Sequence, residues 1–239
     1  MSPDIYNSRV ILVVYGFKIH TTKMRFQALS RLAKRIIFGH PHETHWVSNG
    51  RVHFREGGFV TSASNRAEFS ATNFYEVSAI QDLLSGDDFQ HSLEIGAGYG
   101  RLSPWISRYS TNHVAIDINR EAIHEASELY PTINFLNSDA TKLPFLSSKF
   151  QLVFTWTVLQ HIPDQYINQV IREIERVVTG DGQVIICEDT QGPGNEKTWV
   201  RTSESYSNLF ENLSLHDRIP RKVHPRHQSE FRGEIMVYK

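Results

Sequence analysis

From residue 92 onward the chain alternates two patterns of apolar residues. Short continuous apolar runs occupy 92–95, 113–116, 133–136, Phe150–Trp156 and 183–188. Runs of that length are the signature of strands buried on both faces of a sheet. Between them the apolar residues recur every three or four positions, as on one face of a helix. Residues 101–106 open the first helix, and Pro104 is early enough to be tolerated in its first turn. Arg120–Leu129 forms the second, with Asn119 as its N-cap. The third spans 165–178, with Ile167, Val170, Ile171, Ile174, Val177 and Val178 on one face. Gly180-Asp181-Gly182 is expected to turn the chain into the strand at 183–188. A loop at 189–198 and a helix at 203–212 follow, then two last strands at 214–219 and 233–238. Strand and helix in alternation predict an α/β fold with a doubly wound, mostly parallel sheet.

The first 90 or so residues do not continue that rhythm. A β-rich run covers 9–17. Residues 24–38 place Phe26, Leu29, Leu32, Ala33, Ile36 and Ile37 at helical spacing, with Gln27, Arg31, Lys34 and Arg35 opposite. Gly39 and Pro41 end that helix. Residues 44–54 predict a β-hairpin, because Asn49-Gly50 suits the two positive φ angles of a type I′ turn. A loop rich in glycine and small residues, 57–66, comes next. Asn73 is expected to cap a helix carrying Phe74, Val77, Ile80, Leu83 and Leu84, ended by Gly86. The chain thus divides into a helix and hairpin elaboration at 1–72 and an α/β domain at 73–239. The first segment is expected either to cap a site on the second or to form an oligomer surface, as in a homodimer.

The chemistry concentrates at Leu93-Glu94-Ile95-Gly96-Ala97-Gly98-Tyr99-Gly100-Arg101. Glycines at alternate positions allow a sharp turn and a close ligand approach. Strand, glycine turn and helix N-terminus form the geometry of a nucleotide site. A dinucleotide fingerprint would need a third glycine where Arg101 stands. A strand carboxylate, Glu94, suits a ligand bearing an ammonium and a sulfonium better than one bearing phosphates. Asp117 closes the second strand at the distance where an acid meets ribose hydroxyls, through charge-assisted bonds. Asp139 can accept the exocyclic amine of adenine while the Ala140 N–H meets a ring nitrogen. Ile118 can cover one face of the base, and Trp156 either flanks the adenosyl group or packs.

With these elements in register, residues 92–190 resemble a class I methyltransferase domain of the small-molecule, type 11-like kind. The likeness runs on through 150–154, 158–163 and 173–182, and thins before Phe74 and after Asp189. It implies a Rossmann-like methyltransferase fold, with a seven-stranded sheet ending in an antiparallel strand. It also implies S-adenosyl-L-methionine as methyl donor. Glu94, Gly96, Ala97, Gly98, Gly100, Arg101, Asp117, Ile118, Asp139, Ala140 and Trp156 are the expected cofactor-binding residues. Thr155-Trp156-Thr157 lacks the Asp that metal-using relatives place there, so the reaction is expected to need no metal. It also lacks the Asn/Asp-Pro-Pro-aromatic sequence of enzymes that methylate adenine in nucleic acid. His161, Glu188, Asp189, His216, His224 and His227 are candidate bases. His161 is the catalytic choice, although its Leu-Gln-His-Ile-Pro turn also serves packing.

Composition narrows the remaining options. The chain has 239 residues, 40% hydrophobic, and a formal net charge of -1, which points to no particular partner. One cysteine, Cys187, excludes a disulfide framework and suits a reducing, cytoplasmic setting. No apolar stretch approaches membrane-spanning length; the run at 10–15 is too short, and it reads as no signal peptide. His40, His42, His45 and His53 are crowded, but only Glu43 adds a carboxylate, so a histidine-rich loop is preferred to a metal site. The leading expectation is transfer of a methyl group to an oxygen or nitrogen of a small molecule, a secondary metabolite or sugar. The alternatives are an RNA methyltransferase using the basic helix at 24–38, and a non-catalytic S-adenosylmethionine-binding scaffold subunit.

Overall fold

A computed structural model describes residues 46–48, 51–53, 66–194, 198–222 and 232–239. The apolar runs become the strands β3 (Phe89–Ile95), β4 (Ser110–Asp117), β5 (Asn134–Asn137), β6 (Phe150–Trp156) and β7 (Val178–Gln191). They lie parallel in one seven-stranded sheet of order β5-β4-β3-β6-β7-β9-β8. Here β8 is Leu215–Pro220 and β9 is Arg232–Tyr238; β9 runs antiparallel to both β7 and β8. The chain moves outward from β3 to β4 and β5, then crosses back to β6 on the other side. That reversal opens a crevice beyond the strand ends, where open α/β sheets bind ligands.

Helices cover both faces. α1 (Arg66–Leu84) and α2 (Ser103–Ile106) lie on one side, where Ile80, Leu84 and Ile106 meet Leu152, Phe154 and Ile185. α4 (Asp164–Val177) lies on the other, where Ile167, Val170, Ile171 and Ile174 meet Leu93, Val153, Val184 and Ile186. Successive strand residues serve opposite layers, as the pleat dictates. Each such side chain taken fully from water contributes about 1.5–3 kcal/mol. α3 (Arg120–Leu129) is capped by Asn119, whose side chain accepts from the N–H groups of Glu121 and Ala122.

Several expected boundaries move. α1 begins at Arg66, so Asn73 lies inside the helix and caps nothing. Its Oδ1 accepts from Arg101 Nη1 at 3.0 Å instead. Ala67, Glu68 and Ala71 are good helix formers and extend the helix upstream, across the expected division at 72/73. α4 stops at Val177, because Val178 pairs with Phe150 and begins β7. Gly180-Asp181-Gly182 lies within β7, where pairing jumps from Phe150↔Val178 to Leu152↔Gln183 and the surplus residues bulge out. β7 also runs on to Gln191, past the expected end at 188, by pairing with β9. β5 sits one residue later than expected. The helix expected at 203–212 is only the single turn α5 (Ser203–Ser207).

In the hairpin, β1 (Trp46–Ser48) and β2 (Arg51–His53) pair Trp46↔His53, Val47↔Val52 and Ser48↔Arg51, which brackets Asn49-Gly50 as expected. The strand at 9–17, the helix at 24–38, the loop at 57–65, His40, His42, His45, His224 and His227 lie outside the described residues, as does the His53 side chain. No helix among the described residues is long and apolar enough to cross a membrane.

Candidate active site

The glycine turn after β3 is held by the neighbouring strand: Gly96 and Ala97 both donate to the Ile116 carbonyl, at 2.8 and 2.9 Å. Gly96, Gly98 and Gly100 all have positive φ, at 79°, 54° and 73°, but their surroundings differ. A Cβ on Gly96 would lie 2.2 Å from Val158 Cγ2, and one on Gly100 would lie 2.7 Å from the Phe135 ring. Those two glycines admit protein side chains. A Cβ on Gly98 would meet nothing within 4 Å, so Gly98 faces open space.

Asp117, at the end of β4, stands against that open glycine. The Gly98 N–H donates to Asp117 Oδ2 and the Asn119 N–H to Oδ1, each at 2.8 Å. Burial pushes the Asp117 carboxyl above its ordinary value, the backbone N–H bonds oppose this, and the charge of Glu94 adds to the rise. Each oxygen keeps acceptor capacity for further donors. Ile118, 52% exposed, projects beside it. Asn137 donates from Nδ2 to the carbonyls of Asp117 and Ile118, both at 2.9 Å, and fixes this strand end. Asp139 is exposed, with Oδ1 accepting the Thr141 N–H at 2.8 Å, and Ala140 is half-buried beside it. An open Gly98, an Asp117 with free lone pairs and an exposed Ile118 fit a nucleoside carrying ribose hydroxyls.

Three residues expected at the donor are engaged within the protein. Glu94 is buried, and its Oε2 accepts from Ser103 Oγ and lies 3.3 Å from His113 Nε2. His113 Nδ1 in turn lies 2.8 Å from Ser92 Oγ. Glu94 therefore ties β3 to β4 and α2. Arg101 Nη1 lies 2.6 Å from Glu76 Oε2. Trp156, also buried, stacks on Phe154 at 5.7 Å and donates Nε1–H to Glu76 Oε1 at 3.0 Å. Glu76 and Asn73 of α1 were missed because helical periodicity places them on the helix without naming their partners.

Beyond β6, Thr157 adopts φ 54° and its N–H donates to the Cys187 carbonyl at 2.6 Å. A short 3-10 helix, Leu159–His161, follows. Its start is capped by Glu188, which accepts from the N–H groups of Val158, Leu159 and Gln160. Burial raises the Glu188 carboxyl to about 7 against the pull of those bonds, and the Asp189 charge adds to the rise. Gln160 and Asp189 bond reciprocally, Asp189 N–H to Gln160 Oε1 at 2.7 Å and Gln160 Nε2 to Asp189 Oδ2 at 3.3 Å. Arg221 Nη2 also donates to Asp189. His161 is half-buried, with Gln160 Nε2 3.4 Å from its Nε2. His161, Glu188 and Asp189 thus share one end of the sheet, whereas His216 is exposed on the edge strand β8. Among the described residues no three His, Cys, Asp or Glu side chains are grouped to hold a metal ion.

Residues 93–186 match the family model described as a methyltransferase domain. Demethylmenaquinone methyltransferase of Lactobacillus johnsonii is 30% identical over 134 residues, 52% of this chain and 52% of that protein. Malonyl-acyl-carrier-protein O-methyltransferase of Salmonella typhimurium is 24% identical over 155 residues, 64% of this chain and 61% of that protein. The chain therefore spans about half to three-fifths of the length of these relatives. In fold it is similar to the N-methyltransferase NodS from Bradyrhizobium japonicum, solved in complex with S-adenosyl-L-homocysteine. The TM-score is 0.59 at 15% identity, over 70% of this chain and 86% of that one.

Proposed function

We propose that this chain, whose residues 93–186 match the methyltransferase-domain family model, is a class I S-adenosylmethionine-dependent methyltransferase that methylates an oxygen or nitrogen of a small-molecule acceptor. The observation that carries the proposal is the Gly98 N–H bonded to Asp117 beside the open face of Gly98. When bound, S-adenosylmethionine supplies a methyl group activated on a sulfonium. Asp117 accepts the ribose hydroxyls, Ile118 covers the base, and Asp139 with Ala140 meets its amine edge. The 158–161 turn and Asp189 define the acceptor side, with His161 the candidate base for an acceptor that must lose a proton. Holding donor and acceptor in line contributes roughly 7–11 kcal/mol of the acceleration.

Relatives named for demethylmenaquinone, for malonyl-acyl-carrier-protein O-methylation and for phosphoethanolamine N-methylation show how widely acceptors vary on such domains. A secondary metabolite or sugar is the acceptor class proposed here, in a cytoplasmic setting. Metal independence belongs to the same proposal, supported by the absence of an acid in Thr155-Trp156-Thr157. The segment before α1 is proposed as the cover over the acceptor, because α1 is bonded to Arg101 of the glycine turn. A homodimer face is its alternative role.

Calorimetry with S-adenosyl-L-homocysteine tests the donor site. The intact protein should bind it, and Asp117→Ala should lose about 1.5–3 kcal/mol, the range for hydrogen bonds to a charged group. Equal binding by the variant would overturn the assignment. Turnover should survive EDTA; a loss restored by Mg²⁺ would overturn metal independence, and one restored only by Zn²⁺ would redirect attention to His40 and His42.

A further inference from the structure

One carboxylate connects the two sides of the proposed site. Glu188 Oε1 accepts from Val158 N–H at 3.1 Å and Leu159 N–H at 2.9 Å, and Oε2 accepts from Gln160 N–H at 3.1 Å. Thr155 Oγ1 donates to it as well, at 3.4 Å. The N–H groups at the start of a helical turn have no partner within it, so Glu188 supplies what the backbone lacks. The turn it holds faces in two directions. The Val158 side chain occupies the space over Gly96, on the donor side. Gln160 bonds Asp189, on the proposed acceptor side, and its Nε2 lies 3.4 Å from His161 Nε2.

We propose that Glu188 is a positioning residue for methyl transfer: ionised, it locks the 158–161 turn against the glycine turn, and its protonation releases that turn and weakens donor binding. The inference rests on the methyltransferase proposal above. Its physical basis is donor and acceptor arithmetic. An ionised carboxylate is all acceptor, whereas a protonated one carries an O–H that must face some of the same N–H groups. Leaving a buried backbone N–H without a partner is costly. Full burial opposes the ionised form, and the balance sets the titration near neutral pH.

The neighbouring charged and titratable groups are Asp189 and Cys187 on β7, Tyr206 on α5, Arg201 before it, Arg221 after β8, and His161 in the turn itself. Asp189 raises the Glu188 carboxyl, and Glu188 in turn helps hold the Tyr206 phenol up. His161 is the group whose ordinary titration falls in the same range, so the experiment separates the two.

Binding of S-adenosyl-L-homocysteine to the full chain is measured by calorimetry across pH. Affinity in the wild type should fall by up to about tenfold from about pH 8 to pH 6, the most that one group titrating near 7 can produce and about 1.4 kcal/mol. Glu188→Gln should bind weakly with a flat profile, and His161→Gln should keep the wild-type slope. Val158→Ala keeps the Glu188 bonds but removes the contact over Gly96, so its slope should also flatten. A Glu188→Gln protein that is folded by circular dichroism and matches the wild type in affinity and slope overturns the inference alone. If Glu188→Gln does not fold, Val158→Ala decides: a wild-type slope overturns the inference and a flat one supports it. A wild type that binds at no pH overturns the methyltransferase proposal and this inference with it.

Discussion

Arg101 Nη1 lies 2.6 Å from Glu76 Oε2, joining the end of the glycine turn to the middle of α1. The other Glu76 oxygen accepts the Trp156 indole N–H at 3.0 Å, so one carboxylate fastens the glycine turn, the end of β6 and α1. Glu76 and Trp156 are buried and Arg101 nearly so. Removing one member of a buried pair strands the other, which costs about 3–5 kcal/mol. Glu76→Ala should therefore lose stability on that scale in urea unfolding. Glu76→Leu combined with Arg101→Met should recover much of it, because no charge is then left unpaired. Equal losses in the single and double variants would show that the pair does not act as a unit.

The three turn glycines should respond differently to substitution. Gly98→Val meets no neighbouring atom, so the fold should survive, at a cost of about 1–2 kcal/mol for a side chain at positive φ. Binding of S-adenosyl-L-homocysteine should nevertheless disappear, since the side chain fills the proposed ligand space. Gly96→Ala must displace Val158, and Gly100→Ala must displace the Phe135 ring, so both should lower the melting temperature further than Gly98→Val. Thermal melts with and without ligand make the comparison, and a Gly98→Val protein that binds normally would move the site elsewhere.

Glu188 should leave opposite marks on stability and on binding. Its carboxyl is raised from 4.5 to about 7 in the folded protein. The folded state then holds the proton more tightly than the unfolded state, so stability falls with rising pH where the folded state binds more protons. The contribution is fully present below pH 4.5, is lost as pH rises through about 7, and is flat above that. Relative to Glu188→Gln, whose side chain does not titrate, the wild type should lose unfolding free energy across that window. Donor binding should strengthen over the same window. Stability and binding that rise together with pH would contradict this account.

The sequence by itself determined the architecture. Apolar runs and helical spacing are local properties, and they fix strands, helices and the parallel sheet because a strand buried on both faces leaves no other pattern available. The order of glycines and acids likewise placed Gly98 beside Asp117: they follow and end neighbouring parallel strands, and the βαβ connection brings such ends together. What spacing could not supply was the direction in which each side chain spends its hydrogen bonds. Glu94, Arg101 and Trp156 lie on the strands and turn where spacing put them, yet their polar atoms are bonded to Ser103, Glu76 and Asn73. Those partners come from α1 and α2, and their selection depends on packing over the sheet. Gly96 and Gly98 are alike in sequence and in the sign of φ, but Val158 fills the space over one and leaves the other open. Glu188 looked like one more acid at a strand end. Only the tertiary fold, by folding the chain after β6 back over β7, set three backbone N–H groups around its carboxylate.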